Sequence, residues 1–423
     1  MRIYYLGVVQ HIFTKGRDNM YGLVLEGGGA KGSYQIGAYK ALKDLGIEIK
    51  GVAGTSVGAI NGAMIAQGDI DRAYEVWYNM NPSRILDIDE KHIEKILEMD
   101  LKKQDISSIV KKAKTIVTNG GFDTKYIRAL IKDNVDEGKL RESQIDFGIV
   151  TVSLTDKKPM ELYLEDIPEG KLIDYIMASA YHPAFKLEKM DGKLYLDGGF
   201  YDNLPIKLLQ KKGYKDIIAI RLYALGRIRK VNEDNLNITY ISPSEKLCKT
   251  LDFSNRNARK NLKMGYYDTL RAFKGLKGLK FYFNPKDDED YFMNYLLAFG
   301  EEKILNIGKI LGIENISYRR MMFELIIPRL IDLLSLDKDC SYEDIVIRLC
   351  EEAAKHCNIE RFKIHSFEDF ISEVHYKYPS DKIKPKRNIP RFIKQNELLS
   401  MTAKQEIIDE IVIELFRDIN KKI

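Results

Sequence analysis

Cysteine is scarce in this chain. Four occur in 423 residues, Cys248, Cys340, Cys350 and Cys357, all in the second half. They form no disulfide framework, which suits a reducing compartment and sets the expectation of a cytoplasmic protein, at most peripheral to a membrane. Their spacing is not a zinc pattern, even with His356 beside Cys357, so no metal is expected. Charge of one sign is also lacking: the net charge is +5, which permits contact with an anionic membrane and does not demand nucleic acid. Met1–Asn19 lacks the small-residue cleavage site of a secretory signal. Met20 directly precedes the first strand. Residues 1–19 are therefore read as an N-terminal extension or poorly ordered arm, with Met20 as a plausible start. The stretch Gly51–Gly68 has no charge over 18 positions and touches the threshold for a membrane span. Its glycines, Ser56, Asn61 and Gln67 argue against lipid exposure. A buried strand followed by a buried helix, Val57–Gln67, is the expectation.

What is present begins at Leu23–Gly32, Leu-Val-Leu-Glu-Gly-Gly-Gly-Ala-Lys-Gly, an apolar strand running into glycines and then a helix. Gly27, Gly29 and Gly32 satisfy the dinucleotide fingerprint G-x-G-x-x-G. The next strand, Ile49–Ala53, ends in Gly54-Thr55-Ser56 instead of the acid that binds ribose hydroxyls, and Glu48 precedes that strand. A Walker loop fails because Lys31-Gly32-Ser33 replaces Gly-Lys-Ser/Thr. A tight packing turn is the bland alternative. An acyl-transfer reading uses every glycine. Without side chains, the N–H groups of Gly28 and Gly29 can approach a ligand closely at a helix N-terminus, where negative charge is favoured. Lys31 adds a cation that serves the loop, the substrate or only the solvent.

Gly54-Thr55-Ser56-Val57-Gly58 is a G-x-S-x-G pattern at a strand-to-helix turn, the form of a nucleophile elbow. A serine needs a base. The chain has six histidines: His11, His92, His182, His356, His365 and His375. Only the last three suit the order Ser…Asp…His, and all lie in charged, helix-rich sequence. A carboxylate fits better. Lys193–Gly199 reads as a short strand ending in Asp197 and two glycines, which places an acid at a strand end with room around it. An ordinary Asp-Gly turn remains open as an alternative.

The first half alternates strands and helices, the mark of a mostly parallel sheet. Tyr21–Glu26, Ile49–Ala53, Asp146–Leu154, Met160–Leu164 and Asp216–Leu222 read as strands; Ser33–Leu45 and Leu172–Ala180 read as helices. Asp69–Lys132 looks helical and is expected to cap the site. Beyond Gly226 helical periodicity dominates, with helices expected at Asn255–Phe273, Glu289–Leu311, Tyr318–Leu334, Tyr342–His356 and Thr402–Arg417. Ser380–Arg391 holds two prolines and reads as a loop. The expected domains are residues 20–225, catalytic, and 226–423, helical.

In four separated blocks the chain resembles the patatin-like phospholipase family, over roughly Tyr21 to Leu222. Gly27-Gly28-Gly29-Ala30-Lys31-Gly32 matches that family's oxyanion loop and Gly54–Gly58 its elbow. Ala178-Ser179-Ala180-Tyr181-His182-Pro183-Ala184-Phe185 matches its third block, and Asp197-Gly198-Gly199 the block with its second catalytic residue. Lys186 departs from the proline often found there. The resemblance implies a three-layer α/β/α fold related to the cytosolic phospholipase A2 catalytic domain. It implies a dyad of Ser56 as nucleophile and Asp197 as general base, with no catalytic histidine; His182, inside the third block, reads as a packing or loop residue without a catalytic role. It implies an oxyanion hole from Gly27, Gly28, Gly29, Lys31 and Gly32, an elbow shaped by Gly54 and Gly58, acyl esters of lipids as substrates, and no metal, calcium or other cofactor. A serine esterase without lipid preference and a non-catalytic binder of anionic lipid are the alternatives.

One more segment suggests lipid. Met264, Tyr267, Leu270, Phe273, Leu276 and Leu279 recur every third residue among Lys263, Arg271, Lys274, Lys277 and Lys280. This is either a basic amphipathic surface for peripheral membrane contact or a packed helix with its lysines in water.

Overall fold

The computed structural model describes residues 20–80, 124–183, 185, 188–379 and 400–417. The expectations for residues 1–19, for 81–123 of the cap and for the loop at 380–391 fall outside the described residues. Two compact units result, divided between Ala272 and Phe273.

The first unit is built on a seven-stranded sheet in the order β4-β3-β2-β1-β6-β7, with β5 added to β3. The strands are β1 (Tyr21–Leu25), β2 (Ile49–Thr55), β3 (Asp146–Ser153), β4 (Lys158–Tyr163), β5 (Tyr195–Asp197), β6 (Asp216–Ile220) and β7 (Asn237–Ile241). β3, β2, β1, β6 and β7 are parallel; β4 and β5 run antiparallel to β3. β1, β2, β3 and β6 are largely buried on both faces and so read as apolar runs. Alternation sends Val24, Ala53 and Val150 to one face, where they pack with Leu204, Leu208 and Leu209 around the helix Ile206–Lys212. The other face takes α2 (Val57–Ala66). A Cβ on Gly62 of that helix would meet Val52, Phe147 and Leu25. Helices on both faces make the fold a three-layer α/β/α arrangement.

β7 and the helix Asn255–Lys274 carry the first unit past residue 225, where the sequence analysis ends it. The strand signal at Asn237–Ile241 is weak because this edge strand is only partly buried. α1 (Ser33–Asp44) and Asn255–Lys274 meet backbone to backbone. A Cβ on Gly37 would strike the Leu262 carbonyl, and one on Gly265 the Tyr34 carbonyl. The apolar stripe from Met264 is consequently turned inward: Met264 and Leu270 are buried, and the helix stops at Lys274 before Gly275 (φ 66). Of the two readings of this stripe, the packed helix is the one this burial fits.

The second unit is mostly helical, around a core that includes Phe283, Phe292, Phe370, Ile407 and Ile411. Gly300 (φ 85) divides the expected Glu289–Leu311 into Glu289–Leu297 and Glu301–Leu311. A helix at Phe367–Lys377, capped by Ser366 accepting from the Asp369 N–H, went unread. His365 packs on Phe281 and Phe370, His356 on Tyr378 and His375 on Phe416, so all three late histidines pack against aromatic rings in this core. Among the described residues, no helix is long and apolar enough to cross a membrane.

Asp268 fastens Asn255–Lys274 to the sheet layer. Its carboxylate accepts from the Tyr34 hydroxyl at 3.0 Å, the Ser244 N–H at 2.9 Å and Arg271 at 2.7 Å. Asp268→Ala takes the acceptor from buried donors and should destabilise the protein by about 2–4 kcal/mol. A urea midpoint equal to wild type would show that the cluster does not hold this helix.

Candidate active site

The register of the sheet brings the two candidate catalytic residues together. On β3, Asp146–Val150 pair with Gly51–Thr55 of β2. β4 occupies the other edge, so the edge of β3 beyond β2 is open for β5, whose Asp197, Leu196 and Tyr195 pair with Thr151, Val152 and Ser153. Thr55 lies opposite Val150 and Asp197 opposite Thr151, one residue on. Asp197 thus arrives where β2 ends, beside Ser56.

Ser56 has φ 57 and ψ −124, outside the comfortable range of a residue with a side chain. Strain of this kind persists only where the surroundings impose it. Here the first turn of α2 is clamped: a Cβ on Gly54 would collide with the Gly58 carbonyl, and one on Gly58 with the Leu25 carbonyl. Both elbow glycines are needed for this contact. The Ser56 N–H donates to Ser179 Oγ at 3.0 Å, and that hydroxyl donates to the Val150 carbonyl at 2.7 Å. Thr55 Oγ1 donates to the Asp202 carbonyl at 2.8 Å.

Asp197 is buried and accepts from the Gly199 N–H at 2.8 Å. Burial pushes its pKa up to about 6, against the opposing effects of the Gly199 N–H and the Ser56 side chain. His182 also borders the site; burial takes its pKa down to about 4, so its ring is neutral at neutral pH. Asp202, pushed up to about 7 by burial, accepts from the Arg229 N–H instead of facing the pocket.

Gly27, Gly28 and Gly29 line the same pocket, and among the described residues the N–H groups of Gly28 and Gly29 have no hydrogen-bond partner. Gly29 has φ 57 and lies against the Thr250 carbonyl, a place no side chain fits. Gly32 packs against Val57 and turns the loop into α1. Lys31 behaves differently. Its Nζ donates to the carbonyls of Leu222 and Tyr223, both at 3.4 Å, and it is absent from the pocket lining. Burial lowers its pKa while the Glu26 carboxylate raises it. It braces the loop and does not line the pocket as an oxyanion donor, a correction to its sequence assignment.

Sequence reasoning missed three residues that hold these parts. Asn203 accepts from the Gly27 N–H through its backbone carbonyl at 3.0 Å and donates from Nδ2 to the Gly27 carbonyl at 3.2 Å. Asn61, on α2, donates to the Gly32 carbonyl at 2.9 Å and accepts from Trp77 Nε1 at 2.9 Å. Ser179 is the third, and its place in the Ala-Ser pair was the one available signal. Ala184 and Lys186 lie outside the described residues.

The pocket holds about 1320 Å³ of empty space, part of it open to solvent. From Ser56 it runs between Ile60, Met64, Val76, Trp77, Ile127, Leu130, Phe185, Leu251 and Phe253. A serine and a carboxylate at one end of an apolar cavity can serve acyl transfer to or from a long apolar chain. Among the described residues, no group of three His, Cys, Asp or Glu side chains is placed to hold a metal ion.

With this geometry in view, residues 23–209 match the patatin-like phospholipase family. The chain carries a patatin-like phospholipase domain. A patatin-like phospholipase domain-containing protein of Caenorhabditis elegans, ZK370.4, is 28% identical over 225 residues, which cover 51% of this chain and 14% of that protein. Patatin-like phospholipase domain-containing protein 7 of Rattus norvegicus is 29% identical over 206 residues, 48% of this chain and 13% of its own. The chain thus spans about one seventh of these curated relatives. Among solved structures, VipD from Legionella pneumophila aligns over 93% of this chain and 92% of its own at 16% identity, with a TM-score of 0.39.

Ser179→Ala removes the acceptor that fixes the Ser56 N–H. Ester turnover by this variant should drop on the order of tenfold in kcat with little change in KM, since the loss is of geometry and not of the pocket. Wild-type kcat in a folded Ser179→Ala protein would mean that the elbow holds its shape without this hydrogen bond.

Proposed function

We propose that the protein is a lipid acyl hydrolase, a serine hydrolase of the phospholipase A or lysophospholipase type, acting through Ser56 and Asp197. The observation that carries this reading is the strained Ser56 lining an apolar pocket together with a buried Asp197 of raised pKa, on which the Ser56 side chain acts. Ser56 Oγ attacks the ester carbonyl carbon as Asp197 takes its proton. The carbonyl electrons move onto oxygen, which the N–H groups of Gly28 and Gly29 receive. Collapse of the tetrahedral intermediate breaks the ester C–O bond, and Asp197 returns its proton to the leaving alcohol. Water then attacks the acyl-serine, giving up a proton to Asp197, and the fatty acid departs as Ser56 is re-protonated. The acyl chain lies along Met64, Val76 and Leu130 throughout. The first unit is the catalytic domain in this reading, and no cofactor takes part.

A serine esterase indifferent to lipid differs in one respect, its response to acyl length. The apolar wall of the pocket favours the lipid reading, for which kcat/KM should rise with chain length. Ser56→Ala should abolish labelling by a fluorophosphonate and lower kcat on the order of 10⁴-fold, and Asp197→Asn should do nearly as much. The two act as a unit, so the double variant should lose little more. Activity in Asp197→Asn within about tenfold of wild type would reject the dyad.

The pH dependence follows from the base. Asp197 acts ionised, and its pKa is about 6, so kcat/KM should be level above that pH. Below it, kcat/KM should fall about tenfold per unit. A profile controlled by an ordinary carboxylate near 4, or flat across this range, would remove Asp197 from the role.

A further inference from the structure

Six large apolar side chains are exposed among the described residues of the first unit: Met20, Tyr78, Tyr126, Tyr223, Leu225 and Ile228. All but Met20 lie within two residues of one that lines the pocket. Tyr78 follows Trp77, Tyr126 precedes Ile127, and Leu225 lines the pocket itself while 57% exposed. Single exposed apolar residues are ordinary, but Tyr223, Leu225 and Ile228 fall in one short segment that also lines the pocket at Ala224, Leu225 and Gly226.

The segment carrying Leu225 and Ile228 is fixed against the candidate dyad. The Arg227 N–H donates to the Gly199 carbonyl at 2.8 Å, and the Arg227 carbonyl accepts from the Asn203 N–H at 2.6 Å. Its charge has one sign. No acid occurs between Asp216 and Glu233, while Arg221, Arg227, Arg229 and Lys230 do. Arg221 is committed to Glu26 at 2.9 Å and Arg229 to Glu161 at 2.6 Å. Arg227 and Lys230 are exposed, and neither makes an ion pair among the described residues. Apolar and cationic side chains alternating at the mouth of an apolar pocket match a bilayer with anionic headgroups, whose surface attracts cations and whose interface accepts Leu, Ile and Tyr.

We propose that this rim, with Leu225 and Ile228 flanked by Arg227 and Lys230, seats the protein on the surface of an anionic lipid bilayer. Seated there, the opening of the pocket faces the lipid, and a single acyl chain enters without crossing water. The proposal rests on the lipid-hydrolase reading for its purpose, and its test separates the two.

The test uses the full chain carrying Ser56→Ala, so that binding is read without turnover, and vesicles of phosphatidylcholine with or without phosphatidylglycerol. Cosedimentation should be stronger with phosphatidylglycerol and should weaken as salt rises. Arg227→Gln with Lys230→Gln should lower affinity for the anionic vesicles on the order of tenfold. Ile228→Glu should weaken binding to both vesicle types. With Ser56 intact, these variants should hydrolyse a soluble short-chain ester as wild type does, because none of the three side chains lines the pocket. Unchanged vesicle binding in both variants overturns the proposal. So does equal binding to the two vesicle types, or an equal loss on vesicles and on the soluble ester. A self-associating wild type that Ile228→Glu makes monomeric, with vesicle binding intact, also overturns it and assigns the rim to a second copy of the chain. Vesicle binding in the expected pattern by a protein that cleaves no ester keeps the rim and removes the hydrolase reading. Ester cleavage with a rim that vesicles ignore does the reverse.

Discussion

The left-handed backbone at Ser56 depends on a contact that only glycines permit. Gly54 and Gly58 let the end of β2, the first turn of α2 and the Leu25 carbonyl of β1 close on one another without side chains between them. A residue at φ 57 is costly, and the cost is borne by packing around it that has no slack. The glycine loop leaves β1 at the same end of the sheet, and β5 fills the edge of β3 that β2 leaves open. The candidate nucleophile, the candidate oxyanion donors and the candidate base therefore share one origin in strand register.

Irregular loops in both units are held by buried carboxylates that gather backbone N–H groups. Glu26 accepts from the Leu222 N–H at 2.6 Å and the Tyr223 N–H at 3.3 Å, and Arg221 neutralises it. In the second unit Glu351 accepts from three successive N–H groups, those of Leu279, Lys280 and Phe281, at 2.8–2.9 Å. Glu343 does the same for Lys286 at 2.9 Å and Asp287 at 3.2 Å. These backbone donors have no strand or helix to use, and charge-assisted bonds to a fixed anion replace one. Glu26 stands immediately before the glycine loop, so the carbonyls that brace Lys31 are themselves positioned from beneath.

Local pattern made much of this legible. The strand–glycine–helix passages at Leu23–Gly32 and Gly51–Gly68 could be read because each is contiguous, and their periods and glycines carry the fold. Asp197 could be read because an acid followed by two glycines is unusual at a strand end. Ser179, Asn203 and Asn61 could not be weighed the same way. Ser179 acts on Ser56 across 123 positions and Asn203 on Gly27 across 176, and nothing local to either residue marks the other. The direction of Lys31 was hidden for the same reason, its acceptors being 191 and 192 residues away. The stripe from Met264 left two readings open because burial against a neighbouring helix and insertion into lipid demand the same period. Gly37 and Gly265, which admit the close helix contact, distinguish them only once the two helices are paired.

Trp77 is the single tryptophan of the chain. Its indole lies against Phe253 in the pocket wall, 6.5 Å between ring centroids, and donates to Asn61, which in turn holds the Gly32 carbonyl. The protein therefore carries its own optical probe, at one known place. Its emission comes from the wall of the apolar pocket and is tied by two hydrogen bonds to the end of the glycine loop. Filling the cavity with an alkyl chain, or displacing that loop, changes the solvent and the quenchers around one fluorophore with no second indole to mask the change. Occupancy of the site can thus be followed in real time in the unlabelled protein.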